Sequence, residues 1–213
     1  GTLTYTLLDR YTLNLTTRAD GSSMVGKDHT WGIFPSISAT WDMKKESFLR
    51  NNKSISLLNF RTGYGRSGNL GGISSYLTLR QYIPVGLISY NGTPTVTMGT
   101  LRNSNPDLRW ETRSTFNIGT DLGLFNNRLL LTAEYYYSKT TDMLYEYDVP
   151  VPTFAFDKLL ANIGSMSNSG FELGIGVVPI SKKDMELNVN VNMTWQKNKL
   201  LSLNGKHIGQ IFP

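Results

Sequence analysis

Cysteine is absent from the 213 residues, which excludes a disulfide framework and any thiolate metal site. No run of about 18 apolar residues occurs, the length a membrane-crossing helix needs, so a transmembrane helix is excluded as well. The first residues hold no positively charged, apolar stretch of the signal-peptide kind. Histidine is nearly missing: His29 and His207 are the only two, they fall in different predicted connections, and little around them suits a zinc site or a Ser-His-Asp triad. Charged residues make up only 17%, and the net charge of +5 includes no dense Lys/Arg run, so no nucleic-acid partner is expected. Nothing reads as a linker between two cores, so residues 1–213 are expected to be part of one domain. Low charge beside 20 Gly, 11 Tyr and 9 Phe argues against disorder and for a wall wetted on one side and greased on the other.

What the chain does have is alternation. Residues 185–196 read M-E-L-N-V-N-V-N-M-T-W-Q, with Leu187, Val189, Val191, Met193 and Trp195 set against Glu186, Asn188, Asn190, Asn192, Thr194 and Gln196. A helix would scatter these side chains round its circumference and leave no apolar stripe, whereas a strand sorts them onto opposite faces. The run is about twice the five or six residues usual for strands of soluble domains. Tilted strands of about 9–11 residues, apolar outward and polar inward, are what a membrane-spanning β-barrel needs.

Companion strands are expected over residues 3–7, 11–18, 31–41, 55–67, 108–124, 128–144 and 166–180. Tight turns are expected at Leu8-Asp9-Arg10, Phe125-Asn126-Asn127 and Ser181-Lys182-Lys183-Asp184, and a short helical turn within 42–54. Long connections fall at 19–30, 69–107 and 145–165, the second with short strands expected near 76–82 and 95–101. Short and long connections alternate, so the tight turns should share one rim, the periplasmic one, and the long loops the other. Trp31 and Trp41 end a strand that spans about 25 Å when tilted. They are expected to mark the two aromatic girdles, with Tyr135, Tyr137 and Trp195 as further girdle positions.

Three patterns suggest chemistry without supporting it. Gly63-Tyr64-Gly65-Arg66-Ser67-Gly68 fits G-x-G-x-x-G, but no helix start follows to hold a pyrophosphate and no acidic residue lies between Ser67 and Pro106. The glycosylation patterns at Asn14 and Asn192 lie inside predicted strands. Glu134, Asp142 and Glu172 fall on inner faces, where lining a lumen explains them as well as a glycosidase pair would.

The runs Arg10-Tyr11-Thr12-Leu13 to Arg18-Ala19-Asp20-Gly21-Ser22-Ser23, Trp31-Gly32-Ile33-Phe34-Pro35-Ser36, and Tyr64-Gly65-Arg66-Ser67-Gly68-Asn69 carry a family resemblance. So do Asn105-Pro106-Asp107-Leu108-Arg109-Trp110-Glu111 and Asn162-Ile163-Gly164-Ser165-Met166 with Gly170-Phe171-Glu172. In this order they resemble the barrel of the SusC/RagA group of TonB-dependent transporters, from about residue 8 to 203. The resemblance implies an all-β fold: an antiparallel up-and-down meander of about eight long strands, forming an arc of a transmembrane barrel of about 22 strands. The plug, the TonB-contacting segment and the carboxy-terminal strands are expected to lie outside these residues.

It further implies import of oligosaccharides or peptides across the outer membrane of Bacteroidetes, with a SusD-like surface lipoprotein as cap and TonB as the energy source. No covalent chemistry, cofactor or metal is implied. The lumen-lining candidates are Asn14, Arg18, Arg113, Asn117, Asp121, Glu134, Asp142, Glu172, Asn188, Asn190, Asn192 and Gln196. The competing readings are a soluble β-sandwich carbohydrate-binding module, a passive porin-like barrel, and a small barrel closed on itself.

Overall fold

The computed structural model describes residues 1–203 and the backbone of Lys206–His207. The strands in chain order are β1 (Thr2–Leu7), β2 (Tyr11–Gly21), β3 (Trp31–Asp42), β4 (Ile55–Asn69), β5 (Tyr82–Tyr90), β6 (Thr93–Thr100), β7 (Glu111–Leu124), β8 (Leu129–Asp148), β9 (Lys158–Lys182), β10 (Met185–Leu203) and β11 (Lys206–His207). Nine of them form one antiparallel sheet in the order β1-β2-β3-β4-β7-β8-β9-β10-β11, while β5 and β6 pair only with each other. Since β11 has only two residues, eight strands make the wall. His207 thus falls in this short strand rather than a loop.

Among the described residues no ladder joins β1 to β10. β1 pairs with β2 alone, and beyond β9 the strand β10 meets β11 only at Ser202 and Leu203. Both edges therefore carry unpaired backbone groups, which a barrel closed on itself would not leave. Among the described residues no second sheet covers the apolar face either, as a sandwich would require: Tyr5, Leu13, Phe171, Val191 and Trp195 are all exposed.

Two spans differ from the sequence-based expectation. The segment after β4 holds one hairpin, β5–β6: β6 covers most of the strand expected near 95–101, whereas β5 begins only at Tyr82, where the strand expected near 76–82 was to end. Asn91 and Gly92, both at positive φ, make the two-residue turn that fixes it. Residues 145–165 are mostly strand: β8 and β9 stay paired out to Asp148 and Lys158, which leaves only 149–157 as a loop. The register shifts between Thr140 and Leu144, with Asp142 at positive φ, so the period-two pattern breaks where the hairpin leaves the wall.

The long connections do share a rim. The Gly26 N–H donates to the Leu108 carbonyl at 2.7 Å. The Asn103 side chain donates to the Phe156 and Lys158 carbonyls at 2.6 and 2.8 Å. Val25, Ile73 and Leu108 form a small buried core there, with Trp110, Leu144 and Leu160 packed against it.

At the other rim residues 43–54 fold back on the sheet. Glu46, only 8% exposed, accepts hydrogen bonds from Tyr11 Oη (2.6 Å), Trp41 Nε1 (3.0 Å) and Arg10 Nη1 (2.6 Å). The bonds from Tyr11 and Trp41, with Arg10 behind them, hold the Glu46 carboxyl below the usual carboxylate range. A depressed folded-state value means that this stabilisation is complete above the unfolded-state value of about 4.3 and is lost as pH falls below it. In the full-length protein, Glu46→Gln is expected to flatten the dependence of the melting temperature on pH between about 3 and 6. An unchanged slope would show that the cluster does not titrate on unfolding.

Candidate functional site

The register stacks the polar side chains of the wall into rows. One row runs Ser38, Gly63, Asn117, Tyr136, Gly170 and Gln196 across β3, β4, β7, β8, β9 and β10. The next runs Thr40, Arg61, Gly119, Glu134, Glu172 and Thr194, and the one after it Asp42, Asn59, Asp121, Thr132, Gly174 and Asn192. Most of the first row, with Glu134 and Glu172 of the second, lines a concavity of about 580 Å³ that also takes in Arg113 and Asn168.

Arg61 organises the charge on this face. Its Nε lies 3.2 Å from Asp121 Oδ2 and its Nη1 2.5 Å from Glu134 Oε2, so one guanidinium holds two carboxylates on two strands. Glu172 stands beside Glu134 in the register and has no ion pair among the described residues. Arg113 Nη2 donates to Ser138 Oγ at 3.1 Å, and that hydroxyl, 2% exposed, donates to the Asn168 carbonyl. Glycines flatten the face between these groups. At Gly170 a Cβ would come within 2.6 Å of Tyr136 Oη and 2.8 Å of the Trp195 carbonyl, so the Tyr136 ring lies across bare backbone.

The opposite face of the same strands is apolar. A row through Tyr5, Leu13, Ala39, Thr62, Ile118, Tyr135, Phe171 and Trp195 crosses the whole wall, and the rings of Phe171 and Trp195 lie 6.0 Å apart. Leu131, Ile175 and Val191 form a parallel row nearer the tight turns.

Most of the expected lumen positions fall on the polar face: Asn14, Arg113, Asn117, Asp121, Glu134, Glu172, Asn190, Asn192 and Gln196. Asn14 is held between Thr4 Oγ1, 2.8 Å away, and Ser38. Arg18 sits toward the loop rim and pairs with Asp20 at 2.7 Å. Asp142 stands apart from the rows, in the irregular stretch of β8, where Arg109 binds it at 2.7 Å. Asn188 occupies the bulge between Leu187 and Val189, and its amide donates to Glu186.

The girdle positions Trp31, Tyr135, Tyr137 and Trp195 are exposed on the apolar face, while Trp41 sits at the tight-turn rim with its indole N–H on Glu46. The residues missed as site candidates are Arg61 and Tyr136. Alternation placed Arg61 on the inner face, but only the register shows that it bridges Asp121 and Glu134. Gly63 to Gly68, the nucleotide-like pattern, lie wholly inside β4, and Asn14 and Asn192 lie inside β2 and β10.

Residues 1–211 match the family model described as TonB dependent receptor-like, beta-barrel. The TonB-dependent receptor SusC of Bacteroides thetaiotaomicron is 36% identical over 96% of this chain, which covers 21% of SusC. A TonB-dependent receptor of Formosa agariphila is 33% identical over 96% of the chain and 20% of its own length. The chain therefore spans about a fifth of the curated relatives it matches. The structure of the RagAB peptide importer in the "closed-closed" state superposes with a TM-score of 0.84 at 26% identity, over 98% of this chain and 22% of that one. Its "open-open" state gives the same TM-score of 0.84 over 95% of this chain and 21% of that one. An open sheet that sorts polar from apolar across every strand, superposes on part of an importer and is matched along nearly its whole length has one reading: the chain belongs to the TonB-dependent receptor β-barrel family, as a SusC/RagA-type stretch of outer-membrane barrel wall.

Proposed function

We propose that this wall is part of an outer-membrane active transporter importing oligosaccharides or peptides, with the polar face toward the lumen and the apolar face toward lipid. The observation that carries the proposal is the partition of charge: Asp121, Glu134, Glu172, Arg61 and Arg113 all share the polar face. A sheet with water on both sides has no need of such sorting. The amides and hydroxyls of Asn117, Asn168, Asn192, Thr132 and Gln196 supply donors and acceptors suited to sugar hydroxyls or peptide groups. In this reading the wall binds and guides without covalent chemistry, TonB drives release through a plug, and a SusD-like lipoprotein covers the long-loop rim.

The test uses single cysteines in the full-length receptor, whose wall stretch lacks native cysteine. Asn192→Cys is expected to react with a membrane-impermeant maleimide, and a bulky label there should lower energy-dependent uptake of labelled oligosaccharide or peptide. Val191→Cys should react only with a lipid-soluble reagent. Uptake that persists without TonB would favour a passive porin, and the reverse labelling pattern would refute the assignment of the faces.

A further inference from the structure

We infer that the apolar face carries, at its long-loop edge, a binding row for the headgroup of a bisphosphorylated glycolipid of the outer leaflet. The row is read from the register. Arg66 on β4 stands opposite Ser114, Ser114 opposite Lys139, Lys139 opposite Ser167, and Ser167 opposite Lys199 on β10. Cation and serine thus alternate across five adjacent strands. Lys197 lies one row lower, in line with Tyr64, Phe116, Tyr137 and Ser169.

Position makes these cations unusual. Between the row through Leu124 and Leu129 and the row of Arg66, the outward positions of β4, β7, β8, β9 and β10 hold no Asp or Glu. Their only charges are Arg66, Lys139, Lys197 and Lys199, all gathered at one edge just beyond exposed aromatic side chains, and all four residues are solvent-exposed. None of them forms an ion pair among the described residues, whereas the carboxylates of the wall rows are committed to the other face. Aromatic rings at headgroup level with basic residues beyond them is the arrangement that meets lipid phosphates.

Spacing selects the headgroup. Strands lie about 4.8 Å apart, so cations on alternate strands stand about 10 Å apart. That is comparable to the length of a disaccharide, so a disaccharide with a phosphate at each end bridges two cations while a single-phosphate lipid engages one. The intervening Ser114 and Ser167 are short enough to let the sugar approach, and their hydroxyls can donate to phosphate oxygens. The inference rests on the outward face meeting lipid, as proposed above, but not on what the lumen carries.

The test titrates the purified full-length receptor in detergent with bisphosphorylated lipid A, monophosphorylated lipid A and phosphatidylglycerol, and counts bound lipid by native mass spectrometry. The bisphosphorylated form is expected to bind most tightly. Arg66→Gln, Lys139→Gln and Lys199→Gln together should remove that preference, with affinity falling about fivefold per cation. The matched triple Arg50→Gln, Lys53→Gln and Lys183→Gln at the tight-turn rim should retain it, and heat-modified gel migration checks that each barrel is folded. Equal binding of all three lipids, an unaffected row variant, or equal loss in the matched variant would overturn the row. If the face itself were misassigned, Val191→Lys would be tolerated in a bilayer, which separates the two failures.

Discussion

Val191→Lys is expected to cost the barrel about 2–4 kcal/mol of folding stability in a bilayer, the penalty for a cation near the midplane on the lipid face. Val191 lies between Leu187 and Trp195 on β10, in a row with Ile175 and Leu131, and its side chain is exposed, with no layer above it among the described residues. In water an exposed lysine at such a place would be harmless, typically within about 0.5 kcal/mol. The size of the effect therefore reports the solvent and not the packing. Asn192, one residue on, faces Gly174 and Thr132, and Asn192→Leu is expected to leave folding nearly unchanged while altering uptake. Urea titration of the full-length protein folded into lipid vesicles measures both variants. Tolerance of Val191→Lys, together with failure of the Asn192→Leu barrel to fold, would turn the wall inside out.

The same contrast explains what could be read from the residues alone. Residues 185–196 were legible as a strand because a wall with one polar and one apolar face imposes a strict period of two on them, and the tight turns at Asp9 and Asn126–Asn127 then fix the order of their neighbours. Where that contrast ends, so does the pattern. Beyond the irregularity at Asp142 the β8–β9 hairpin leaves the wall, and residues that were expected to form a loop are strand. Among the described residues the β5–β6 hairpin has no second layer to impose alternation: Val85, Leu87, Ile88 and Tyr90 are all exposed. Its one clear signal was local, the Asn91-Gly92 pair between two apolar runs.

The polar face was legible as a set of residues but not as a circuit. Alternation assigns Glu134 and Glu172 to one side; that they stand side by side, with Arg61 serving only the first, depends on a register that spans four strands. Asp142 shows the opposite case. Its position in the sequence put it on the inner face, but the register shift in β8 places it at the rim with Arg109.

Gly26→Ala is expected to detach the folded loops from one another while leaving the wall intact. A Cβ at residue 26 would lie 2.0 Å from the Pro106 carbonyl oxygen and 3.4 Å from that of Leu108, and both obstacles are backbone. No rotamer change relieves such a contact, so the two segments must separate. Separation breaks the 2.7 Å bond from Gly26 N–H to Leu108 and opens the core in which Val25 is 3% and Leu108 0% exposed. Burial of a Val or Leu side chain is worth about 1.5–3 kcal/mol. Losing most of both is therefore expected to lower amide protection across residues 22–30 and 103–110 by roughly thirtyfold or more. The backbone ladders of β7, β8 and β9 do not pass through Gly26, so their protection should hold. Gly86→Ala is the control, because its Cβ would meet nothing nearer than Thr97 Oγ1 at 3.6 Å, and it should leave protection at the rim unchanged. Hydrogen exchange on the full-length receptor in lipid reads all three regions at once. Unaltered protection at 22–30 and 103–110 in the Gly26→Ala protein would show that the long loops are held by contacts other than this backbone crossing.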